Sequence, residues 1–254
     1  MVLTTAQRAI QVLDALSRGS AANSYPRPGV QRSADQPDDP AFTSVPEASE
    51  WPRLLAWLGN PDPGATVQEI TSLLVTMGVA TPVLPSLAWP LIEAVRRCPD
   101  HRSVPTTTLA HLGAVLDRWE AQQGQLDAVT PAGILAQALL VQDLHCLADL
   151  CSNAGQGWAS GPWSRRGHRL EQALHVRLWH DSGYVDTAGP ADPLAMLLLL
   201  DTPAERIAIL AKQALKRCQS ALARNQIGSV FLAWEGAHRH RLTDQARQIA
   251  ELVR

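Results

Sequence analysis

The stretch TPAERIAILAKQALKRCQSALARNQ, residues 202–226, carries the clearest secondary-structure pattern in this chain. Its apolar residues recur every three or four positions, which is typical of an amphipathic helix with one buried face. Lys212, Lys216 and Arg217 fall outside this stripe. The members of the stripe are Ile207, Leu210, Ala211, Ala214, Cys218, Ala221 and Leu222. Thr202, Pro203 and Glu205 add the signature of a helix start, so we expect a helix from residue 203 to residue 226.

Similar patterns and start signals recur along the chain. Three further capping boxes pair Thr4 with Gln7, Ser44 with Glu47, and Thr66 with Glu69. Strand-like alternation is weak, and the best candidate, residues 79–85, contains two prolines that argue against a central strand. We therefore predict an all-α fold, a bundle of about ten helices. The other expected helices cover residues 4–18, 47–58, 66–78, 86–97, 104–123, 131–153, 164–181, 191–200, 228–236 and 242–253.

The chain divides by composition into three predicted parts. Residues 1–18 form an amphipathic helix, residues 19–46 a flexible linker rich in Pro, Ser and Asp, and residues 47–254 a helical domain, with a further division conceivable near 124–130. The apolar face of the first helix is predicted to consist of Ala6, Ile10, Leu13 and Leu16. This face has to be buried, either against the protein's own body or in the groove of a partner.

Composition limits the classes of function. The net charge of −2 excludes a polycation that coats nucleic acid, although a local basic patch remains open. Lys212 and Lys216 are the only lysines, and we interpret the preference for arginine as codon bias rather than phosphate recognition. Four cysteines and no secretory signal predict a cytoplasmic protein with free thiols. The uncharged run from Ile70 to Ile92 is interrupted by prolines, so we predict buried helices there and no membrane span.

Sequence motifs for catalysis or cofactors are missing. The chain has no phosphate-binding loop, no HExxH and no GxSxG elbow, and we predict no catalytic residue, no cofactor and no metal site. Two weaker possibilities remain. His145 and Asp149, one helical turn apart, could form a hydrogen-bonded pair that prepares a general base. A zinc site could be composed of cysteines and histidines. Because their spacing does not place them on one face of a helix, we interpret the cysteines as buried core residues instead. The members of the zinc site would be Cys98, His101, His145, Cys146 and Cys151.

The most unusual local composition is GWASGPWSRRGHR, residues 157–169. We expect a loop that ends at Ser164 as the N-cap of a helix. Arg165, Arg166 and Arg169 then lie at the positive end of the helix dipole. This placement either marks an anion site or is an unfavourable arrangement that the protein tolerates. Trp158 and Trp163 could contact a partner, stack on bases or pack within the protein.

A second basic segment, HRHR at 238–241, contributes Arg239 and Arg241. Solvated surface is the default interpretation, and phosphate contact is the alternative. Taken together, the sequence predicts a non-enzymatic adaptor or accessory subunit that binds a protein partner. The alternative is a nucleic-acid-binding protein that uses the arginines of the two basic segments. The residues proposed to contact a partner or an anion are Trp158, Trp163, Arg165, Arg166, Arg169, Arg239 and Arg241.

Overall fold

The computed structural model describes residues 3–22, 50–77, 86–98, 104–123, 131–180, 183–184, 197–223 and 227–254. Over these residues the predicted all-α bundle is confirmed, with ten helices, a helical turn at 197–199 and one pair of two-residue strands. The helices are α1 (Thr5–Ala22), α2 (Glu50–Gly59), α3 (Pro63–Met77), α4 (Ala88–Arg97), α5 (Thr106–Gln123), α6 (Pro131–Asn153), α7 (Gly157–Leu178), α8 (Ala204–Ala223), α9 (Ile227–Arg239) and α10 (Thr243–Val253).

The two short strands follow α7 directly. Strand β1 (Trp179–His180) pairs antiparallel with β2 (Gly183–Tyr184), so that Trp179 lies opposite Tyr184. The side chain of Tyr184 is buried, and its hydroxyl lies 2.7 Å from Nδ1 of His175 on α7. The pair is thus a small two-stranded sheet that packs at the end of α7.

Helix α6 lies at the centre of the bundle and packs against α4, α5 and α7. It is apolar on most sides, as a helix surrounded by protein has to be. Its boundaries, 131–153, are those predicted, and its start is marked by Pro131 at the first helical position. The buried apolar side chains of α6 include Ile134, Leu139, Leu140, Val141, Leu144, Leu147 and Leu150.

A buried carboxylate on α6 holds the start of α4. Asp143 accepts hydrogen bonds from the Ser86 hydroxyl and from the backbone N–H groups of Leu87, Ala88 and Trp89. These N–H groups have no partner within their own helix, so Asp143 acts as a cap supplied from another helix. Burial raises the pKa of Asp143 to about 6, against the opposing effect of these four hydrogen bonds.

Helix α1 packs against α2 and α9, so the first helix lies on the protein's own body. Its start is the predicted capping box, because the Thr4 N–H donates to Gln7 Oε1 at 2.8 Å and the Gln7 N–H donates to Thr4 Oγ1 at 3.3 Å. The helix continues to Ala22, four residues into the predicted linker. The rest of that linker and the possible division near 124–130 lie outside the described residues.

The predicted start of helix α3 at Thr66 is wrong. Helix α3 begins at Pro63, not at residue 66, because Asp62 accepts a hydrogen bond from the Ala65 N–H at 3.1 Å and so caps the helix. Thr66 is consequently a buried residue inside the helix. The pair of Ser44 and Glu47 lies outside the described residues. Among the helices that the structure describes, none is long and apolar enough to cross a membrane.

Candidate functional site

The segment 157–169 is the first half of α7, which corrects the predicted loop. The helix begins at Gly157, with Gln156 before it, and Ser164 is an interior residue rather than an N-cap. Arg165, Arg166 and Arg169 therefore lie beyond the first turn. Because the field of a helix terminus falls off within that turn, these arginines are not placed to form an anion site at the start of the helix.

Packing against neighbouring helices explains why this segment is helical despite its glycines and Pro162. A Cβ on Gly113 of α5 would lie 3.0 Å from the Trp163 ring, so α5 and α7 approach closely at this point. A Cβ on Gly167 would lie 2.8 Å from Cε1 of His145, so Gly167 makes room for that ring on α6. Tertiary contacts thus override the low helix propensity of the segment.

Trp163 and Arg166 are engaged within the protein. The Arg166 guanidinium donates to Asp117 and Glu120 on α5, with Arg166 Nε 2.9 Å from Glu120 Oε2. Its central carbon also lies 4.4 Å from the centre of the Trp163 ring. Burial opposes the charge of Arg166, but the two carboxylates raise its pKa. These contacts join α5 to α7, and they leave little of the Trp163 and Arg166 side chains accessible to a partner.

Trp158, Arg165 and Arg169 lie on a solvent-facing side of α7. Trp158 is 83% exposed, and Arg165 and Arg169 are exposed as well. Among the described residues neither arginine has an acidic partner within ion-pair distance. Spacings of four, three, four, three and four residues place six exposed side chains on one helix face. We call this the α7 face: Trp158, Pro162, Arg165, Arg169, Gln172 and Val176.

Arg239 and Arg241 are placed differently from the α7 arginines. Arg239 donates to the Leu199 carbonyl at 2.6 Å and to Gln142 Oε1 at 3.2 Å, and lies 3.8 Å from Asp201 Oδ1. Arg241 is exposed in the turn before α10, with a backbone φ of 58°. Arg239 is therefore a half-exposed structural group, whereas Arg241 extends into solvent.

A polar cleft of about 390 Å³ lies between α1, α4, α6 and α9. Its charged groups are largely paired with one another. Arg8 on α1 forms a buried ion pair with Glu235 on α9, and Arg96 on α4 contacts both Glu93 and Asp149. A cleft lined by matched charges offers hydrogen bonds to a small polar ligand but no net field for a strongly charged one.

The cleft contains His145 and Asp149, but the hydrogen-bonded pair considered as an alternative is not formed between them. Asp149 accepts a hydrogen bond from Arg96 Nη2 at 3.0 Å. His145 instead faces Glu171 and His168 on α7. Cys146 also lines the cleft, and burial followed by the nearby negative charge of Asp143 raises its pKa well above the ordinary value. A thiol in that state is a poor nucleophile at neutral pH.

His145, His168 and Glu171 form a cluster of potential metal-binding side chains within the described residues. One donor atom from each lies within 4.8 Å of the others. Glu171 Oε2 lies 3.5 Å from His145 Nε2 and 3.4 Å from His168 Nδ1. The second carboxylate oxygen, Oε1, accepts a hydrogen bond from the Asp201 N–H at 2.7 Å. We call these three residues the His–His–Glu cluster.

The environment of the cluster keeps Glu171 charged. Burial alone would raise the pKa of this carboxyl group, but the Asp201 N–H and the two histidines hold it below its ordinary value. His145 Nε2 is buried and has no hydrogen-bond partner within the described residues. The arrangement is therefore a buried carboxylate facing an imidazole nitrogen that is left unsatisfied.

Sequence reasoning missed His168 and Glu171 as possible ligands. Their spacing of three residues places them on one helix face, and that signal was available in the sequence. The third member, His145, belongs to another helix, and only the packing of α6 on α7 brings it close. Cys146 and Cys151 are buried in the core, in agreement with their interpretation as core cysteines. His101 lies outside the described residues.

The predicted partner-binding face of α1 is divided. The residues that face the body are Arg8, Ala9 and Val12, all buried. Ile10 is 42% exposed, Ala6 and Leu13 are half-buried, and the side chain of Leu16 is outside the described part of the chain. Arg8 does not belong to the predicted stripe, but its ion pair with Glu235 allows that arginine to be buried.

No protein family, curated protein or solved structure matches this chain.

Proposed function

We propose that this protein is a non-enzymatic adaptor or accessory subunit that binds an acidic segment of a protein partner on the α7 face. The observation that carries the proposal is the 83% exposure of Trp158. A tryptophan side chain that remains in water contributes little to the stability of the fold. Tryptophan is, however, among the residues that contribute most to binding when a partner buries them. Val176, 76% exposed, provides a second apolar contact at the other end of the same face.

The charge of the α7 face indicates the chemistry of the partner. Arg165 and Arg169 lie between the two apolar residues and are exposed. Arginine forms bidentate hydrogen bonds with carboxylates, and such bonds are stronger than those between neutral groups. A segment with apolar residues flanking a pair of carboxylates would match this order of side chains. Cys98, Cys146 and Cys151 are not joined in disulfide bonds, which supports a location in the reducing cytoplasm.

Site-specific photo-crosslinking tests the proposal. A photo-crosslinking amino acid replaces Gln172 on the α7 face, and the matched control carries it at Arg177, which is exposed on another side of the same helix. We expect a cross-linked species from position 172 that is sensitive to protease and resistant to nuclease. It should be lost in Trp158→Ala and in the Arg165→Ala/Arg169→Ala double variant, and retained in Val75→Ala, which removes an exposed apolar residue of α3.

Identical adducts from positions 172 and 177, or none from position 172, would contradict the proposal. A nuclease-sensitive adduct would replace the protein partner with nucleic acid. Arg166 and Arg239 make this alternative weaker, because both are occupied by contacts inside the protein. Nucleic-acid binding can also be measured directly, by fluorescence anisotropy with single-stranded and duplex oligonucleotides, since such binding falls steeply with salt.

A further inference from the structure

We propose that His145, His168 and Glu171 bind a zinc ion between α6 and α7. Two imidazoles and one carboxylate are a donor set that zinc accepts in proteins. The two histidines come from different helices, so the ion would join α6 to α7. This site is independent of the α7 face and of the proposed partner.

The distances in the cluster fit a tetrahedral ion. Zinc bonds to nitrogen and oxygen measure about 2.0–2.1 Å, so the donor atoms of a tetrahedral site lie about 3.3–3.4 Å apart. Glu171 Oε2 lies 3.5 Å from His145 Nε2 and 3.4 Å from His168 Nδ1. Two of the three edges of such a site are thus already close to the required length.

Neighbouring residues orient the donor atoms of the His–His–Glu cluster. The Asp201 N–H holds Oε1 of Glu171, which fixes the carboxylate and leaves Oε2 directed at the histidines. Hydrogen bonds of this kind orient metal ligands in known sites. His145 Nε2 is buried without a hydrogen-bond partner among the described residues, a cost that a bound cation would remove. Gly167 provides the space in which the His145 ring lies.

The exposure of the three side chains indicates an ion that solvent can reach. The exposed fractions are 5% for Glu171, 19% for His145 and 53% for His168. Three protein donors leave one position of a tetrahedral zinc ion for water or for another ligand. His145 also lines the polar cleft, so a ligand bound in that cleft would lie beside the metal site.

Cobalt provides the direct test, because Co²⁺ in a tetrahedral site absorbs visible light strongly whereas hydrated Co²⁺ does so weakly. The full chain is first stripped with a chelator and then titrated with Co²⁺, and Zn²⁺ is added to displace it. We expect saturation at one ion per chain and loss of the absorption when zinc is added. His168→Ala should weaken binding by about 100-fold or more, because a direct ligand matters at least as much as the groups that orient one.

Two further variants separate the site from nonspecific binding and from misfolding. His111→Ala removes an exposed histidine of α5 and should bind the metal like the wild type. Gly167→Ala should displace the His145 ring and weaken binding while every ligand is retained. Zinc should raise the midpoint of thermal unfolding of the wild type and of His111→Ala but not of His168→Ala. Absence of stoichiometric binding by the wild type, or equal affinity in His168→Ala, would overturn the proposal.

Discussion

Arg8 on α1 and Glu235 on α9 form a buried, two-point ion pair that joins the first helix to the C-terminal part of the bundle. Arg8 Nε donates to Glu235 Oε1, and Arg8 Nη2 donates to Oε2 at 2.9 Å. Only 6% and 8% of the two side chains are exposed. Arg8 also donates to the Leu3 carbonyl, and Thr5 Oγ1 donates to Glu235 Oε2. The first helix is therefore fixed by polar contacts as well as by Ala9 and Val12.

Removing one member of this pair should destabilise the protein strongly. Arg8→Met leaves a buried carboxylate without its cation, and we expect the free energy of unfolding to fall by about 3–5 kcal/mol. In Arg8→Met/Glu235→Leu neither charge remains, so most of that loss should be recovered. Urea unfolding followed by circular dichroism measures both variants. A double variant as unstable as the single one would show that the loss in the free energy of unfolding comes from removing the ion pair itself and not from the unpaired charge.

The same pair predicts how stability depends on pH. Burial raises the pKa of Glu235, while its hydrogen bonds with Arg8 and the charge of Arg8 oppose that effect. Because the pKa is raised in the folded state, the contribution of Glu235 to stability is fully present below its unfolded pKa of about 4.3. It is lost as the pH rises through the folded-state pKa.

We therefore expect the wild type to lose stability relative to Glu235→Gln as the pH rises from about 4 to about 7. The comparison requires urea unfolding of both proteins at several pH values in this range. A difference that does not change with pH would mean that the pKa of Glu235 is the same in the folded and unfolded states. If the wild type gains stability relative to Glu235→Gln as the pH rises, the effect of Arg8 on the pKa of Glu235 is larger than the effect of burial.

Asp143 should be the critical carboxylate of α6. Asp143→Ala removes the acceptor of four hydrogen bonds at the start of α4, and we expect a loss of about 2–3 kcal/mol in the free energy of unfolding. Asp149→Ala is the matched control on the same helix, because Asp149 is exposed and only pairs with Arg96. Its effect should stay within about 0.5 kcal/mol. Similar losses in the two variants, measured by urea unfolding, would refute the assignment of Asp143 as a cap.

The two tryptophans at the start of α7 should behave in opposite ways. Trp163 packs over Gly113, and we expect Trp163→Ala to lower the free energy of unfolding by about 2–3 kcal/mol, less than for a fully buried tryptophan. Trp158→Ala removes an exposed side chain and should change it by no more than about 0.5 kcal/mol. Urea unfolding decides the point. A large loss in Trp158→Ala would mean that this residue stabilises the fold, and would remove the basis for assigning it to a partner.

Most of the helices could be predicted because each has an apolar stripe within one segment of sequence. The start of α6 and the capping box of α1 follow from Pro131, Thr4 and Gln7 alone. The start of α7 could not be predicted in this way, because its glycines and Pro162 are unfavourable locally and only contacts with α5 and α6 compensate for them. Local rules fail where packing between distant segments decides the outcome.

The candidate sites show the same division. The exposure of Trp158 and the engagement of Trp163 could not be separated in the sequence, since both are tryptophans in one glycine-rich segment. The burial of Arg8 depends on Glu235, which lies far away along the chain. The His–His–Glu cluster depends on the approach of α6 to α7. In each case the residue type was visible, but its neighbour was not.

The unfavourable composition of α7 has a consequence for the order of folding. A helix with three glycines and one interior proline gains little from its own propensity, so a peptide of residues 157–178 should be largely unfolded in isolation. The helix can form only once α5 and α6 offer the surfaces on which Trp163 and Gly167 pack. The surface that carries Trp158 then forms only after that packing, and a chain whose core is incomplete has no ordered α7 to present.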